Sequence, residues 1–464
     1  TGGGPGAARG AAPARPRLLE RLVLHRPETR AWALYDVANS ALFTTVIAAV
    51  FPVYFAKVVA AELEQNAATT GLTRATTIAL VAVALVAPVL GGVADVRAWR
   101  KRLLAVFSGI GVLATAGLAT VGAGDVATAL VCFALANLGA AGSIVFYDAL
   151  LPHLAREGEV DRLSTSGFAL GYLGGGLLLA LNLAWIQRPD LFGLPHGEGL
   201  TPGEATLPTR LAFLSVAVWW ALFTLPLLRR VPEPPPRLEA DETQGEPALR
   251  AALRRLRETF RELYRYRQAF WMMLAFLVYN DGILTIIRFA TYIGAQRDFD
   301  DGVLIGSILL VQFVGVPFAV LFGRLAGAIG PKRSVLLGIG AYFGITLLAY
   351  WMHTSLHFLA LAVAVGTVQG GTQALSRSLF ASLVPKHKSG EFFGLFAVLE
   401  KFAGILGPLV FGIVAAASPP DDLGRPVLAI LPFFAVGGLL LLRVDVDAGR
   451  RAARAAEREL QGVA

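Results

Sequence analysis

Gly91-Gly-Val-Ala-Asp-Val-Arg-Ala-Trp-Arg-Lys101 is a polar break between two apolar runs, residues 74–95 and 102–122. Glycine opens it, an acid follows four residues later, and two bases stand five and six residues beyond the acid. A weaker copy, Gly323-Arg-Leu-Ala-Gly327 followed by Gly330, Lys332 and Arg333, sits in the second half of the chain, again after an apolar run. A break that recurs in the same place in both halves points to a chain built from two related units.

Outward from these two copies, the chain alternates between apolar runs and short polar breaks. A helix that crosses a bilayer needs about 20 mostly apolar residues. Twelve such runs are found, near 31–58, 74–95, 102–122, 125–150, 164–187, 208–229, 268–294, 302–327, 332–352, 355–384, 390–417 and 425–443. Helix is the expected element, because backbone facing lipid must satisfy its own hydrogen bonds. Composition agrees. Of 464 residues, 55% are hydrophobic and only 16% charged, against about a quarter charged in soluble domains. The expected fold class is an all-α membrane protein of twelve transmembrane helices in two pseudo-symmetric six-helix bundles.

Basic residues orient the spans, since Lys and Arg accumulate on the cytoplasmic side. Of 41 Lys and Arg, 31 fall in the N-terminal stretch, the even-to-odd loops and the C-terminal stretch. Five lie in the opposite loops: Arg74, Arg188, Arg210, Arg297 and Arg425. Both ends are therefore expected to be cytoplasmic in a multi-pass protein of the cell (inner) membrane. The net charge of +8 borders apolar spans, so its expected counterpart is anionic lipid at the cytoplasmic face and not nucleic acid.

The expected organisation is a cytoplasmic tail over 1–30, a six-helix bundle over 31–230, a linker over 231–267, a second bundle over 268–443 and a cytoplasmic tail over 444–464. The linker opens on Val231-Pro-Glu-Pro-Pro-Pro236. Within Ala248–Arg267, Leu249, Leu253, Leu256, Phe260 and Leu263 step by four and three, the period of one helical face. Arginines occupy the other faces, as in a helix lying on a membrane surface.

Charged residues inside spans are costly, so they usually face the protein interior or a water-filled cavity. Helix 1 offers Asp36 and Asn39. Helix 7 offers Tyr279, Asn280, Asp281 and Arg288. Helix 10 offers Gln373, with Gln369 and Arg377 on the same stripe. These supply carboxylates for an amine or a proton and guanidiniums for a carboxylate, and a cavity holding both signs suits a zwitterion. Asp36, Asn39, Tyr279, Asn280, Asp281, Arg288 and Gln373 are accordingly the expected substrate or proton contacts. Arg377 and Asp148 stand near the cytoplasmic ends of helices 10 and 4. Together with Asp95, Arg100, Lys101, Glu400 and Lys401 they form the expected gating or charge-relay set. The same charges also fit fixed structural bridges.

The Gly91–Lys101 loop is similar to the loop motif of the major facilitator superfamily, although Val96 stands where that motif carries a base and Ala98 where it carries glycine. Four further segments resemble one branch of that superfamily, the vacuole effluxer-like family. They are Trp32-Ala-Leu-Tyr-Asp-Val-Ala-Asn-Ser40, Tyr279-Asn-Asp-Gly282, Gly370-Gly-Thr-Gln-Ala-Leu-Ser-Arg-Ser-Leu-Phe380 and Gly390-Glu-Phe-Phe-Gly394. The last of these leads on to Lys401 and Gly407-Pro408. The resemblance runs from about residue 30 to 440. It implies the superfamily fold, a cavity lined by helices 1, 4, 7 and 10, and efflux of amino acids or similar small solutes.

The expected function is secondary active or facilitative transport of a small polar solute, an amino acid for preference, by alternating access. Protons are a candidate coupling ion, and one copy of the chain is expected to suffice. Export of drugs or lipids on the same fold, or a receptor or scaffold without transport, are the rival readings. No Gly-x4-Gly-Lys-Ser/Thr run, His-Glu-x2-His run or Gly-x-Ser-x-Gly run is present. Neither an ATPase motor, an enzyme, a metal site nor a cofactor is expected. Cys132, alone in the chain, excludes a disulfide framework.

Overall fold

The computed structural model describes residues 18–62, 65–236, 266–297, 299–403, 406–419 and 424–460. The amphipathic segment expected over Ala248–Arg267 lies outside these, apart from its last two residues. Every regular element among the described residues is helical.

The membrane-length helices follow the apolar runs: α1 Pro27–Val59, α2 Gln65–Arg97, α3 Arg100–Leu118, α4 Val126–Leu154, α5 Val160–Gln187 and α6 Pro202–Arg230. The second half supplies α7 Arg267–Gln296, α8 Asp301–Ile329, α9 Pro331–Ala349, α10 Ser355–Leu383 and α12 Gly424–Leu442. These are eleven helices long and apolar enough to cross a membrane. The twelfth, α11, is divided. Ser389–Phe402 is followed by Leu406–Ala417, where the sequence reading expected one span over 390–417. Pro408 has no N–H and its ring crowds the preceding turn, so an unbroken helix is disfavoured there. A last helix, α13 Val446–Leu460, lies beyond the spans.

Each of the longer helices rises about 1.5 Å per residue, so 28 residues exceed the roughly 30 Å of bilayer hydrocarbon. Helix α1 is irregular. It passes from α-helix into π-helical stretches at Leu42–Val50 and Phe55–Val59, a form that widens the turn and often marks functional positions.

Within the first bundle α1 packs on α5 and α6, α3 on α4 and α6, and α2 on α4. Within the second, α7 packs on α12 and α10, α8 on α10, and α9 on α10 and α12. Between the bundles α2 packs on α11, α5 on α8 and α10, and α4 on α11 and α10. Lipid tails are as apolar as leucine, so close van der Waals packing and polar bonds must hold such helices together. Small residues provide that closeness. A Cβ on Gly91 of α2 would run into the carbonyl of Gly390 on α11, and one on Gly390 would meet Asp95 and the Gly91 carbonyl.

Beyond the spans, α13 is pinned to both bundles. The Lys386 amide donates to Glu457 at 2.9 Å, and Arg454 pairs with Glu157 of the α4–α5 loop.

Candidate functional site

Arg377 stands on α10, six residues before that helix ends at Leu383. Its neighbours in sequence are small (Ser376, Ser378), and the guanidinium reaches across to the first bundle. There Nη1 donates to Asp148 Oδ1 at 3.0 Å, Nε to Ser164 Oγ at 2.9 Å, and Nη2 to the Ser164 carbonyl at 3.1 Å. Nη2 also lies 3.4 Å from Asp36 Oδ2. Asp36 in turn accepts from the Tyr147 hydroxyl at 2.7 Å. The planar guanidinium is walled by aromatic rings: Phe168 at 4.6 Å, Trp32 at 5.0 Å and Tyr147 at 5.4 Å. Cation–π attraction of this kind strengthens as water is removed, and the Arg377 side chain is only 7% exposed. Trp32 and Tyr147 stack on one another at 4.4 Å, with the Trp32 indole N–H held by the Tyr147 carbonyl.

Four helices therefore converge on one guanidinium. Helix α1 brings Trp32 and Asp36 one turn apart, α4 brings Tyr147 and Asp148, α5 brings Ser164 and Phe168, and α10 brings Arg377. Gly167 makes this possible, since a Cβ there would strike Asp36 Oδ2. One cation faces two carboxylates. The cluster is neutral only when one of the two acids holds a proton, and burying an unbalanced charge is expensive. Close by, Ser164 Oγ donates to the Ala374 carbonyl at 2.7 Å and Ser378 Oγ to Asp161 at 2.6 Å.

A second cluster joins α2 to α11. Asp95 is 1% exposed and accepts from the Gly390 and Glu391 amides, each at 3.0 Å. A carboxylate at the first amides of a helix satisfies donors that have no partner within it and meets the positive end of the helix dipole. Arg100 Nη2 lies 2.5 Å from Asp95 Oδ1 with its own side chain buried. Alongside, Ser389 Oγ donates to the Ala149 carbonyl at 2.9 Å and lies 3.1 Å from His153.

Lys101 contributes its backbone. The amides of Arg100 and Lys101 donate to the two oxygens of Glu233 at 2.9 and 2.8 Å, so the first residues after α6 cap α3. Burial pushes the Glu233 carboxyl above its ordinary value. The Lys101 amide, the Arg100 charge and the Arg100 amide oppose that rise.

The remaining expected contacts lie elsewhere. Asp281, 1% exposed on α7, accepts from the Gly407 amide at 3.0 Å, at the start of the second segment of α11. The Tyr279 hydroxyl is bonded to Ser376, and Asn280 is buried. Asn39 is 3% exposed with neither amide atom hydrogen-bonded. Gln373 and Glu400 are half-buried. The side chains of Arg288 and Lys401 lie outside the described residues.

The structure thus brings together Asp36, Asp148 and Arg377, which the sequence reading had divided between solute binding and gating. It sets Asp281 apart from them as a helix-capping acid. Sequence reasoning missed Trp32, Ser164, Phe168 and Glu233. Trp32 alone had a readable signal, standing one helical turn before Asp36.

The chain matches the family described as Vacuole effluxer Atg22 like over residues 58–454. It is 33% identical over 423 residues to the MFS-type transporter YxiO of Bacillus subtilis, covering 90% of this chain and 95% of that one. Autophagy-related protein 22 of Yarrowia lipolytica is 26% identical over 318 residues, and the match spans about half of that fungal protein (51%) and 63% of this chain. Among solved structures, the human organic anion transporter MFSD10 (TETRAN) superposes with a TM-score of 0.66 at 15% identity, covering 90% of this chain and 99% of that one. A double-tryptophan mutant of XylE superposes with 0.67 at 16% identity, covering 90% and 94%. At such identities the likeness shows the fold alone, and that fold is the two-bundle major facilitator arrangement. With a family match over most of its length and a one-third-identical relative along nearly all of it, the chain belongs to the Atg22-like vacuole effluxer family of major facilitator transporters, which move solutes across membranes and are not enzymes.

Proposed function

We propose that this chain exports a small polar solute, an amino acid for preference, by alternating access, with the Arg377 cluster closing the basic end of the bundle. One observation supports this above all. Hydrogen bonds and ion pairs that join the two bundles cluster toward the end that bears α13 and the even-to-odd loops. Arg377 with Asp36, Asp148 and Ser164, Asp95 with the start of α11, Ser389 with Ala149, and Arg454 with Glu157 are all there. A carrier held closed at one end is half of an alternating cycle.

On this reading the basic end faces the cytoplasm and its Lys and Arg rest against anionic headgroups. Asp36 is the coupling site. It shares Arg377 with Asp148, and one proton decides whether that trio is balanced. Asp36 releases Arg377 when protonated, and the basic end opens. Family membership favours export, because the family description names an effluxer. A single chain supplies both sides of the cluster, so one copy suffices.

The test is flux of labelled amino acids in proteoliposomes with and without an imposed pH gradient. Accumulation driven by the gradient and lost in Asp36→Asn is expected. Absence of flux for every amino acid overturns the choice of solute. Flux indifferent to the gradient overturns the coupling.

A further inference from the structure

Helix α5 presents Gly167, Gly171 and Gly175 to α1. A Cβ on the first would meet Asp36 Oδ2, on the second Ser40 Oγ, and on the third three groups at once: Ser40 Cβ at 3.1 Å, Thr44 Oγ1 at 3.2 Å and Gln312 Nε2 at 3.3 Å. Gln312 belongs to α8, in the other bundle. We propose that Gln312, Ser40 and Thr44 form a subsite at Gly175 that takes an uncharged hydrogen-bonding group of the solute, an amide or a hydroxyl. The proposal rests on the transport reading and specifies the solute chemistry at one point of its path.

Gln312 lies in a membrane span and is 6% exposed. Its amide has two donors and an acceptor, and no hydrogen bond joins it to a described residue. The amide atoms are not fully sealed from solvent, so an amide with no protein partner is left to bond water or a solute. Bilayer surroundings sharpen that demand, because no lipid tail can answer an amide.

Position supports a ligand as the partner. The close contacts between α5 and α8 climb from Thr165 on Gly323, through Tyr172 on Gly315, to Gly176 on Gln312 and Phe313. Gln312 is the one farthest from the basic end. Ser40 and Thr44 are half-buried beside it and continue the polar surface along α1. Thr44 spends its proton on the Ser40 carbonyl at 2.9 Å, which leaves its oxygen as an acceptor.

Charge selects the class of ligand. No ionisable side chain is among the groups that meet at Gly175. The nearest on α1 is Asp36, a turn below, already engaged by Arg377. An ionic group would meet no counter-charge among these three groups, whereas an amide or hydroxyl finds both a donor and an acceptor. A site built to hydrogen-bond such a group discriminates strongly against analogues that lack it. The subsite also takes one side from each bundle, so a ligand seated in it senses their separation.

Two measurements test this in a Cys132→Ala background. The first compares Gln312→Cys with Leu321→Cys, half a turn round α8 and 49% exposed on an apolar face, for reaction with a membrane-impermeant methanethiosulfonate in proteoliposomes. Reaction at Gln312→Cys should be at least about tenfold faster, since only that position faces water. The second compares L-glutamine with L-leucine flux. Gln312→Leu should lower the glutamine-to-leucine ratio by about tenfold or more, and Gln312→Asn by less, with the melting temperatures of all variants near that of the parent. Equal labelling at the two positions, or an unchanged ratio, overturns the subsite. If the parent moves neither amino acid, the amino-acid reading fails by itself, and the labelling contrast still decides the subsite.

Discussion

Arg377 Nη1 stands 3.0 Å from Asp148 Oδ1, and the two residues hold matching registers. Each lies six residues before the end of its helix, Leu383 in α10 and Leu154 in α4. The corresponding helices of the two halves therefore meet through opposite charges at equivalent positions.

Arg377→Ala leaves Asp148 and Asp36 buried without their cation. Breaking a buried pair from one side costs about 3–5 kcal/mol, so the unfolding midpoint of the solubilised protein should fall sharply. Adding Asp148→Asn removes part of the stranded charge and should recover stability. A double variant no more stable than the single one shows that Arg377 does not neutralise Asp148.

The Asp95 joint admits no side chain at Gly390. Gly390→Ala should cost about 1–3 kcal/mol as an overpacked contact, read as a lower unfolding midpoint and as faster labelling of thiols introduced along the α2–α11 seam. Gly327, in the second copy of the loop, has nothing within 4 Å of a Cβ. Gly327→Ala should be neutral or stabilising by up to about 1 kcal/mol. Similar losses at both positions argue against close packing as the reason for Gly390.

Ala98 ends α2 with φ 55°, where alanine pays about 1–2 kcal/mol. Glycine relieves that strain but loses roughly 0.4–1 kcal/mol through the freer unfolded chain. Ala98→Gly should therefore stabilise slightly, by about 0.5–1 kcal/mol on balance. A lower unfolding midpoint contradicts the argument.

Asp281 can be separated from a proton-binding role by an isosteric change. Asp281→Asn keeps an oxygen for the Gly407 amide and should preserve flux. Asp281→Leu strands that amide and should cost about 1–3 kcal/mol. Lost flux in a stable Asp281→Asn protein would move Asp281 back among the coupling residues.

Glu233 gives a pH test. Its folded value is raised, so over the interval between the ordinary glutamate value and the raised one the folded chain holds a proton that the unfolded chain has released. Its contribution is then complete at low pH and is lost as pH rises through that interval. Glu233→Gln should flatten this part of the stability profile, measured as unfolding midpoints across the mildly acidic range. An unchanged slope assigns it to other groups.

The spans were legible because membrane helices advertise themselves by length and apolarity. The break in α11 was half-legible: Gly407-Pro408 suggests a kink, but nothing in the string says that Asp281, 126 residues away, would cap the second segment. The Arg377 cluster was legible only as its parts. Asp36, Asp148 and Arg377 each stand out as charges in apolar runs, yet what joins them is contact between bundles more than two hundred residues apart in sequence, which leaves no periodicity. Glu233 was hidden for another reason. A proline-rich run reads as a breaker, and a carboxylate inside it reads as solvated.

The Asp95 joint is written in main chain. The donors that Gly390 and Glu391 offer Asp95 across the seam are peptide groups, which every residue other than proline possesses, while its side-chain partner, Arg100, stands on its own side of the seam. One demand on the far side is negative: position 390 must stay bare. A connection of this sort tolerates drift around it while remaining vulnerable to a single methyl group. It can persist in relatives whose sequences have otherwise diverged.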